Sequence, residues 1–379
     1  MSQLEITIKK VENDYEKNKF IKFPWKIYKN DPYWVPPLLF DVKNNLDKKK
    51  NPFYDHSKME MWLAEKDGII AGRIAAIVND NHNKFYNDKV GFFGFFESVN
   101  DKNVSKLLFD TASEYLKENG MEVIRGPVNP STNDECALLI DGFDSSPVML
   151  MPYNPKYYIS LIDEYGFEKA KDLYALFIGS DVINNEEMMK KLGRISEMII
   201  KKENLTIRNV NLSDFNNEVQ RIREVYNNAW QENWGFVPMT EDEFKHVAKN
   251  LKPIADEDFI IFAEKDGKPI GFSLCLPDIN QVLKDLNGRL FPFGILKFLR
   301  NKKKIDVLRV IIMGVNVEYH RKGIDAIFYQ HIIKTGYKRN IKAGEISWVL
   351  EDNYAMVQAA EKLGAHIYKT YRIFDKKLV

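Results

Sequence analysis

"GVNVEYHRKGIDAIFYQHII", residues 314–333, decides how this chain is read. It begins at the end of an apolar run, "VLRVIIMGVNV" (307–317), whose side chains are hydrophobic on both faces, so the run is placed as a central strand of a sheet. From Ile324 the period changes. Ile324, Ile327, Phe328, His331, Ile332 and Thr335 recur at i, i+3, i+4 and i+7, predicting a helix over 324–338 with that face inward. Between strand and helix lies a turn built on Gly323. A helix that starts this way presents free amides and about half a positive charge, a site for a phosphate. Gly323 permits close backbone approach, and Arg321 and Lys322 add cations. Asp325 acts against this. A carboxylate in the first turn favours the helix dipole by itself; facing a phosphate at about 4 Å in an effective dielectric near 20 it would repel it by about 4 kcal/mol, whereas pointing to solvent it would be screened to little. From these residues the turn is either an anion cradle or only a turn.

Working outward, the chain repeats itself. "WLAEKDGIIAGRIAAIV" (62–78) and "IFAEKDGKPIGFSLCLP" (261–277) each read as strand, Asp-Gly turn and strand. Asp67 and Asp266 stand 199 positions apart, as do Gly72 and Gly271; Gly166 and Gly364 stand 198 apart. One long offset at separate places predicts two copies of one domain. The expected fold class is α/β, with two tandem domains over 1–180 and 181–379, each a mixed twisted sheet flanked by helices. The first copy carries a polar insertion over 126–148 and the second an insertion over 278–304. Strands are expected at 205–210, 307–317, 345–350 and 366–374, with a short helix over 354–363 closed by Gly364.

Composition narrows the function classes. With 55 basic and 54 acidic residues, the chain has no electrostatic footprint for nucleic acid. Two distant cysteines, Cys136 and Cys275, form no disulfide framework, and no His/Asp/Glu set has metal spacing. The start lacks an apolar signal segment and no apolar run reaches spanning length, so a cytoplasmic protein is expected.

The second half resembles the GNAT N-acetyltransferase superfamily, and the whole resembles bacterial tandem-GNAT proteins. His320-Arg321-Lys322-Gly323-Ile324-Asp325 stands where that family's R/Q-x-x-G-x-G/A motif holds the coenzyme A pyrophosphate. "NYAMVQAAEKLGA" (353–365) matches the family's N-x-x-A-x-x-L-Y-E-K-L-G-F signature at Asn353, Glu361, Lys362, Leu363 and Gly364. The resemblance implies acetyl-CoA or another acyl-CoA as substrate, held by Val315, Val317, Arg321, Lys322, Gly323, Ile324, Asp325, Ala326 and Asn353. It departs from the family at His320, at Asp325, and at Ala360 and Ile162, where many members place the tyrosine that protonates the leaving thiolate. The first half has no glycine in "DKNVSKLL" (101–108), so the coenzyme is assigned to the C-terminal domain.

The expected activity is N-acyl transfer to a small-molecule or peptide amine. The alternative is a non-catalytic coenzyme A or metabolite sensor on a degenerate GNAT fold. Glu318 is the candidate base, with Glu351 and His320 as alternatives, and Tyr354 the candidate acid, with Tyr368 as its alternative. Asn353 serves equally as a helix N-cap. In the first half, "GPVNPSTNDE" (126–135) is either a turn-rich connector or an acceptor pocket using Asn129, Ser131, Asn133 and Glu135, with Glu97 facing it. Trp234, in "QENWGFVPM" (231–239), either borders the acceptor or plugs a core. "FPFGILKFLRNKKK" (291–304) sets apolar residues beside a basic run, as an interfacial helix for a lipid substrate or membrane surface would, but the expected reading is a lid whose apolar face covers the domain, without membrane contact. The protein is expected to be a monomer or homodimer.

Overall fold

A computed structural model describes residues 5–378. The chain forms two compact units. One holds the residues up to Leu173, the segment Val282–Arg300 and the residues from Lys369 on; the other holds Tyr174–Gln281 and Asn301–Tyr368.

In the first unit, β1 (Ile6–Lys10), β2 (Ser57–Lys66), β3 (Ile69–Asn79) and β4 (Val90–Ser98) form an antiparallel meander. β5 (Val123–Gly126) joins β4 in parallel across the helix Lys102–Glu118. The short strands β6 (Val128–Asn129) and β7 (Glu135–Cys136) pair with each other; β8 (Leu138–Asp141), the helix Tyr158–Tyr165 and β9 (Glu168–Ile178) follow, and the first unit holds β9 only as far as Leu173. Every residue of β4, "VGFFGFFES", is buried, because the sheet is covered on both faces. Phe93 and Phe96 pack on Phe109 of the 102–118 helix, with ring centroids 5.4 Å and 4.6 Å apart.

The second unit repeats the plan. β10 (Thr206–Asn209), β11 (Ile260–Lys265), β12 (Lys268–Pro277) and β13 (Val307–Val315) are antiparallel. β14 (Ala343–Leu350) joins β13 in parallel across the helix Ile324–Lys338, and the helix Tyr354–Lys362 follows. β15 (His366–Lys377) begins in this unit; its residues from Lys369 on belong to the first unit, where they pair with β5 and β8. The repeated turns are of one kind: Asp67 and Gly68, like Asp266 and Gly267, have φ between 50° and 77°, as a two-residue hairpin of matching twist requires.

Two expectations are corrected. In the 324–338 helix, His331, Ile332 and Thr335 are only half-buried, while Tyr329, Ile333 and Gly336 are buried. The cause is a second covering layer. Ile195 and Ile199 of the helix Glu186–Glu203 pack on Ile324, Ile327 and Phe328, so the helix is buried on more than its sheet face. The 278–304 insertion does not lay its apolar face on the domain either. Asn287 accepts from Trp25 Nε1 at 2.7 Å and Gly288 O accepts from Leu39 N at 3.0 Å, which anchors the segment. Its helix, Gly294–Asn301, half-buries Ile295 and Phe298 but turns Leu296 and Leu299 to solvent, with Phe291 and Phe293 just before it.

Gly193 sits mid-helix in Glu186–Glu203, and an added Cβ would meet no atom within 4 Å. Gly193→Ala is therefore expected to stabilise the protein by about 1 kcal/mol, the helix-propensity difference, read as a raised urea midpoint at unchanged slope.

Candidate functional site

The second unit has an opening in its sheet. The parallel ladder between β13 and β14 runs from Val307↔Ala343 to Val310↔Ile346 and ends there. β13 continues to Val315, held on its other edge by β12, with a register shift at Leu274/Cys275 that makes Ile311 the extra residue of a bulge. The carboxyl halves of two parallel strands thus part, and residues 311–315 are half-exposed. Trp230 lies against β13, so close that a Cβ on Gly314 would sit 2.0 Å from its ring. Around it Tyr226 stacks on Trp230 at 5.1 Å and packs on Phe236 at 5.6 Å. Phe236 is thus core, while Trp234 is half-buried beside it.

Beyond β13 a single turn of 3-10 helix, Val317–Tyr319, leads to the quoted turn. His320 Nε2 lies 2.9 Å from Val315 O and holds the turn against the strand end. Arg321 (φ 61°) and Gly323 (φ 79°) are both left-handed, and no side chain caps the 324–338 helix. Its first amides are therefore available to an anion. The two cations behave differently. Lys322 Nζ is paired with Glu203 at 3.0 Å and lies 4.8 Å from the Tyr319 ring, while Arg321 is exposed and makes no ion pair or hydrogen bond among the described residues. Gly323 has a structural reason as well, since a Cβ there would come within 2.9 Å of Ile199 Cδ1. Asp325 is half-buried and forms no hydrogen bond or ion pair among the described residues; its charge adds to the burial that pushes the Tyr329 phenol up.

The other candidates of this unit have separate duties. Val317 donates its amide to Asn228 Oδ1 at 3.2 Å. Ile324 is buried, and Ala326 N bonds Gly323 O within the first turn. Asn353 caps its helix, accepting from Met356 N at 3.2 Å, which leaves its amide nitrogen uncommitted. Tyr354, 69 % exposed, and Glu318, also exposed, make no hydrogen bond.

In the first unit the corresponding opening is filled. The β4–β5 ladder ends at Phe92↔Arg125, but the β6–β7 hairpin occupies the gap. A Cβ on Gly94 would fall 1.6 Å from Val128 O, and Asn129 Oδ1 accepts from Phe95 N at 2.6 Å. The helix start is closed too. Asp101 accepts from Asn103 N at 2.9 Å and pairs with Lys66 at 2.5 Å. Ser131 donates to Asp134 at 2.7 Å and accepts from Asn133 N at 3.1 Å, so the polar 126–135 segment ties itself together, with Glu135 opposite Asn129 in the hairpin.

Glu97 is not gathered with Asn129, Ser131 and Asn133 but into a buried cluster. Arg73 Nη2 lies 3.5 Å away, Tyr158 donates to its Oε2 at 2.7 Å, and the Tyr28 hydroxyl is 3.0 Å from the same oxygen. Burial pushes the Glu97 carboxyl up, against the opposing pull of Arg73 and the two hydroxyls. Tyr28 has one proton and also lies 3.1 Å from Tyr153 O. A protonated Glu97 makes both contacts hydrogen bonds, with Glu97 donating to Tyr28 and Tyr28 to Tyr153. Tyr28, Arg73 and Tyr158 were not among the residues singled out from sequence. The available signal was a lone arginine inside the apolar strand "GRIAAIV" (72–78), facing a glutamate that ends another.

Among the described residues no group of His, Cys, Asp or Glu is arranged to hold a metal ion, and no helix is long and apolar enough to cross a membrane.

No family model matches the chain. Among solved structures, a tandem GNAT protein from the clavulanic acid biosynthesis pathway superposes with a TM-score of 0.59 at 10% identity, covering 99% of both chains. A GCN5-related N-acetyltransferase from Anabaena variabilis gives 0.51 at 10% identity, covering 99% of this chain and 73% of that one. These likenesses show the fold. Sequence relatives reach further. Protein YghO of Escherichia coli is 38% identical over 97% of this chain and 94% of its own length. The bacterial ceramide synthase of Caulobacter vibrioides is 34% identical over 99% of this chain and 98% of its own. With the tandem GNAT fold in place over its whole length, the chain belongs to the protein family that includes this bacterial ceramide synthase and YghO.

Proposed function

We propose that this protein is an acyl-CoA-dependent N-acyltransferase that binds its coenzyme in the second unit and acylates a long-chain amine. One observation carries the coenzyme assignment: the parting of β13 and β14 is open and leads to an uncapped helix, whereas its counterpart in the first unit is filled by Val128 and Asn129 and capped by Asp101. An extended amide-bearing chain can pair with the free edge of β13, as peptides add to sheet edges, while the diphosphate takes the amides of the 324–338 helix and the Arg321 charge. The name of the Caulobacter relative supports the acceptor class, because making a ceramide joins a fatty acyl group to the amine of a long-chain base.

In the reaction the amine nitrogen attacks the thioester carbonyl carbon, the C–S bond breaks, and the nitrogen's proton passes to a base while the thiolate takes one from an acid. Glu318 is the proposed base and Tyr354 the proposed acid, both exposed on the elements that follow β13 and β14 in the chain.

The test is thiol release from palmitoyl-CoA and from acetyl-CoA, each with a long-chain amino alcohol. Release with palmitoyl-CoA only when the amine is present supports the reading. Failure of every acyl-CoA to shift the melting temperature sinks it, and binding without thiol release on any amine favours the sensor. Arg321→Glu is expected to raise KM for acyl-CoA about tenfold or more, the effect of about 1.4 kcal/mol, with an unchanged melting temperature because Arg321 has no internal partner. Glu318→Gln and Tyr354→Phe are each expected to lower kcat about a hundredfold; an unchanged kcat removes that residue from the chemistry.

A further inference from the structure

We propose that the exposed face of residues 289–300 docks the protein on an anionic lipid bilayer. The face is apolar where a water-facing helix should be polar. Phe291, Phe293, Leu296 and Leu299 are 76 %, 77 %, 65 % and 58 % exposed. They lie together at the start and on the outer side of the Gly294–Asn301 helix, while Ile295 and Phe298 of the same helix are half-buried beneath them. The segment is held from below, by Asn287 to Trp25 and Gly288 to Leu39, so its outward face is presented on an anchored base.

Charge decides the occupant. From Lys284 to Lys304 the sequence holds seven cations, at 284, 289, 297, 300, 302, 303 and 304, against one acid, Asp285. The local balance is therefore +6 in a chain whose total is +1. Asp285 is already taken by Lys297 at 3.5 Å. Arg289 and Arg300 are exposed and have no acidic partner among the described residues. They flank an open cleft of about 520 Å³ whose wall includes Phe291, Phe293 and Leu296. Aromatic and aliphatic side chains that enter the acyl boundary, beside arginines at headgroup level, are what an interfacial helix needs on a negatively charged leaflet. A second copy of this chain would meet the same excess of cations and be repelled. An acidic protein would satisfy the arginines but leaves the protruding phenylalanines unexplained.

This docking needs neither coenzyme nor acceptor, so its failure is read separately from that of acyl transfer. The experiment is co-sedimentation of the full chain with phosphatidylcholine vesicles, alone and with roughly 30 mol % phosphatidylglycerol, at physiological salt. The protein is expected to sediment with the mixed vesicles at least about tenfold more tightly than with the neutral ones, since each cation near the surface is worth roughly a factor of five. Phe293→Ser with Leu296→Ser is expected to weaken binding to the mixed vesicles about tenfold or more. Arg289→Glu with Arg300→Glu is expected to abolish the preference for them. All four side chains are exposed, so thermal melts by circular dichroism should be unchanged. No sedimentation of the wild type with anionic vesicles, or equal sedimentation of the variants, overturns the proposal. So does a dimer seen by light scattering that disperses on Leu296→Ser, which would give the face to a second copy.

Discussion

Gly94→Ala should cost about 3 kcal/mol or more, and chemical denaturation should show it as a large fall in midpoint. The added carbon would lie 1.6 Å from Val128 O and 2.8 Å from Val128 C, so a backbone segment has to move. That segment cannot move cheaply. Val128 is fully buried, and its neighbour Asn129 holds the Phe95 amide at 2.6 Å. Displacing the hairpin would strand that donor in the interior as well. Gly91, three residues earlier on the same strand, is the internal control. The three atoms nearest a Cβ there all belong to the Leu116 side chain, the closest at 2.5 Å, and a side chain yields more cheaply than a backbone carbonyl. Gly91→Ala should therefore cost clearly less than Gly94→Ala. If the two cost the same, the hairpin is not seated on β4, and the contrast between a filled first unit and an open second one fails.

How much of this was legible in sequence depended on the distance over which each feature is determined. The duplication was visible because an Asp-Gly hairpin turn is set by two residues, and it recurs at an offset of 199. The 324–338 helix was visible because period and punctuation agree locally, and the Asn353 cap because a cap is a contact across three residues. The rest depends on partners far away in the chain. Lys322 stands beside Arg321 in the sequence, but its partner Glu203 lies 119 residues earlier. Asn129 looks like a free polar group until the fold brings Phe95 to it from 34 positions away. Nothing local in 282–300 tells that Trp25 and Leu39 will anchor it while its phenylalanines stay outside. Glu97 was picked out as a strand-end carboxylate, but its meaning lies in Arg73, Tyr28 and Tyr158, which three separate elements deliver.

That cluster yields the other large effect. Arg73→Met should destabilise the first unit by about 3–5 kcal/mol, because it leaves Glu97 buried without its cation. Glu97→Gln should cost a similar amount by stranding Arg73, whose Nη1 is bonded only to Phe20 O at 2.8 Å, with its guanidinium over the Phe20 ring at 4.9 Å. The double variant should be more stable than the sum of the two losses implies, since neither charge then remains to be desolvated. Acidity separates this account from simple loss of packing. Burial holds the folded-state value of Glu97 above its ordinary 4.5, so the folded protein binds the proton more tightly than the unfolded chain. Its contribution to stability is fully present below that ordinary value and is lost as pH rises through the raised one. Removing Arg73 takes away a pull that lowers the value, so it should rise further in Arg73→Met. The stability gap between wild type and Arg73→Met should then be small at acid pH, where Glu97 is protonated in both, and widen toward neutrality. In the Glu97→Gln background the Arg73→Met step should show no such widening, because no titrating group remains at that position. A gap that stays constant across the pH range would mean that Glu97 and Arg73 act through their shapes alone, and that the buried charge pair does not govern the stability of this unit.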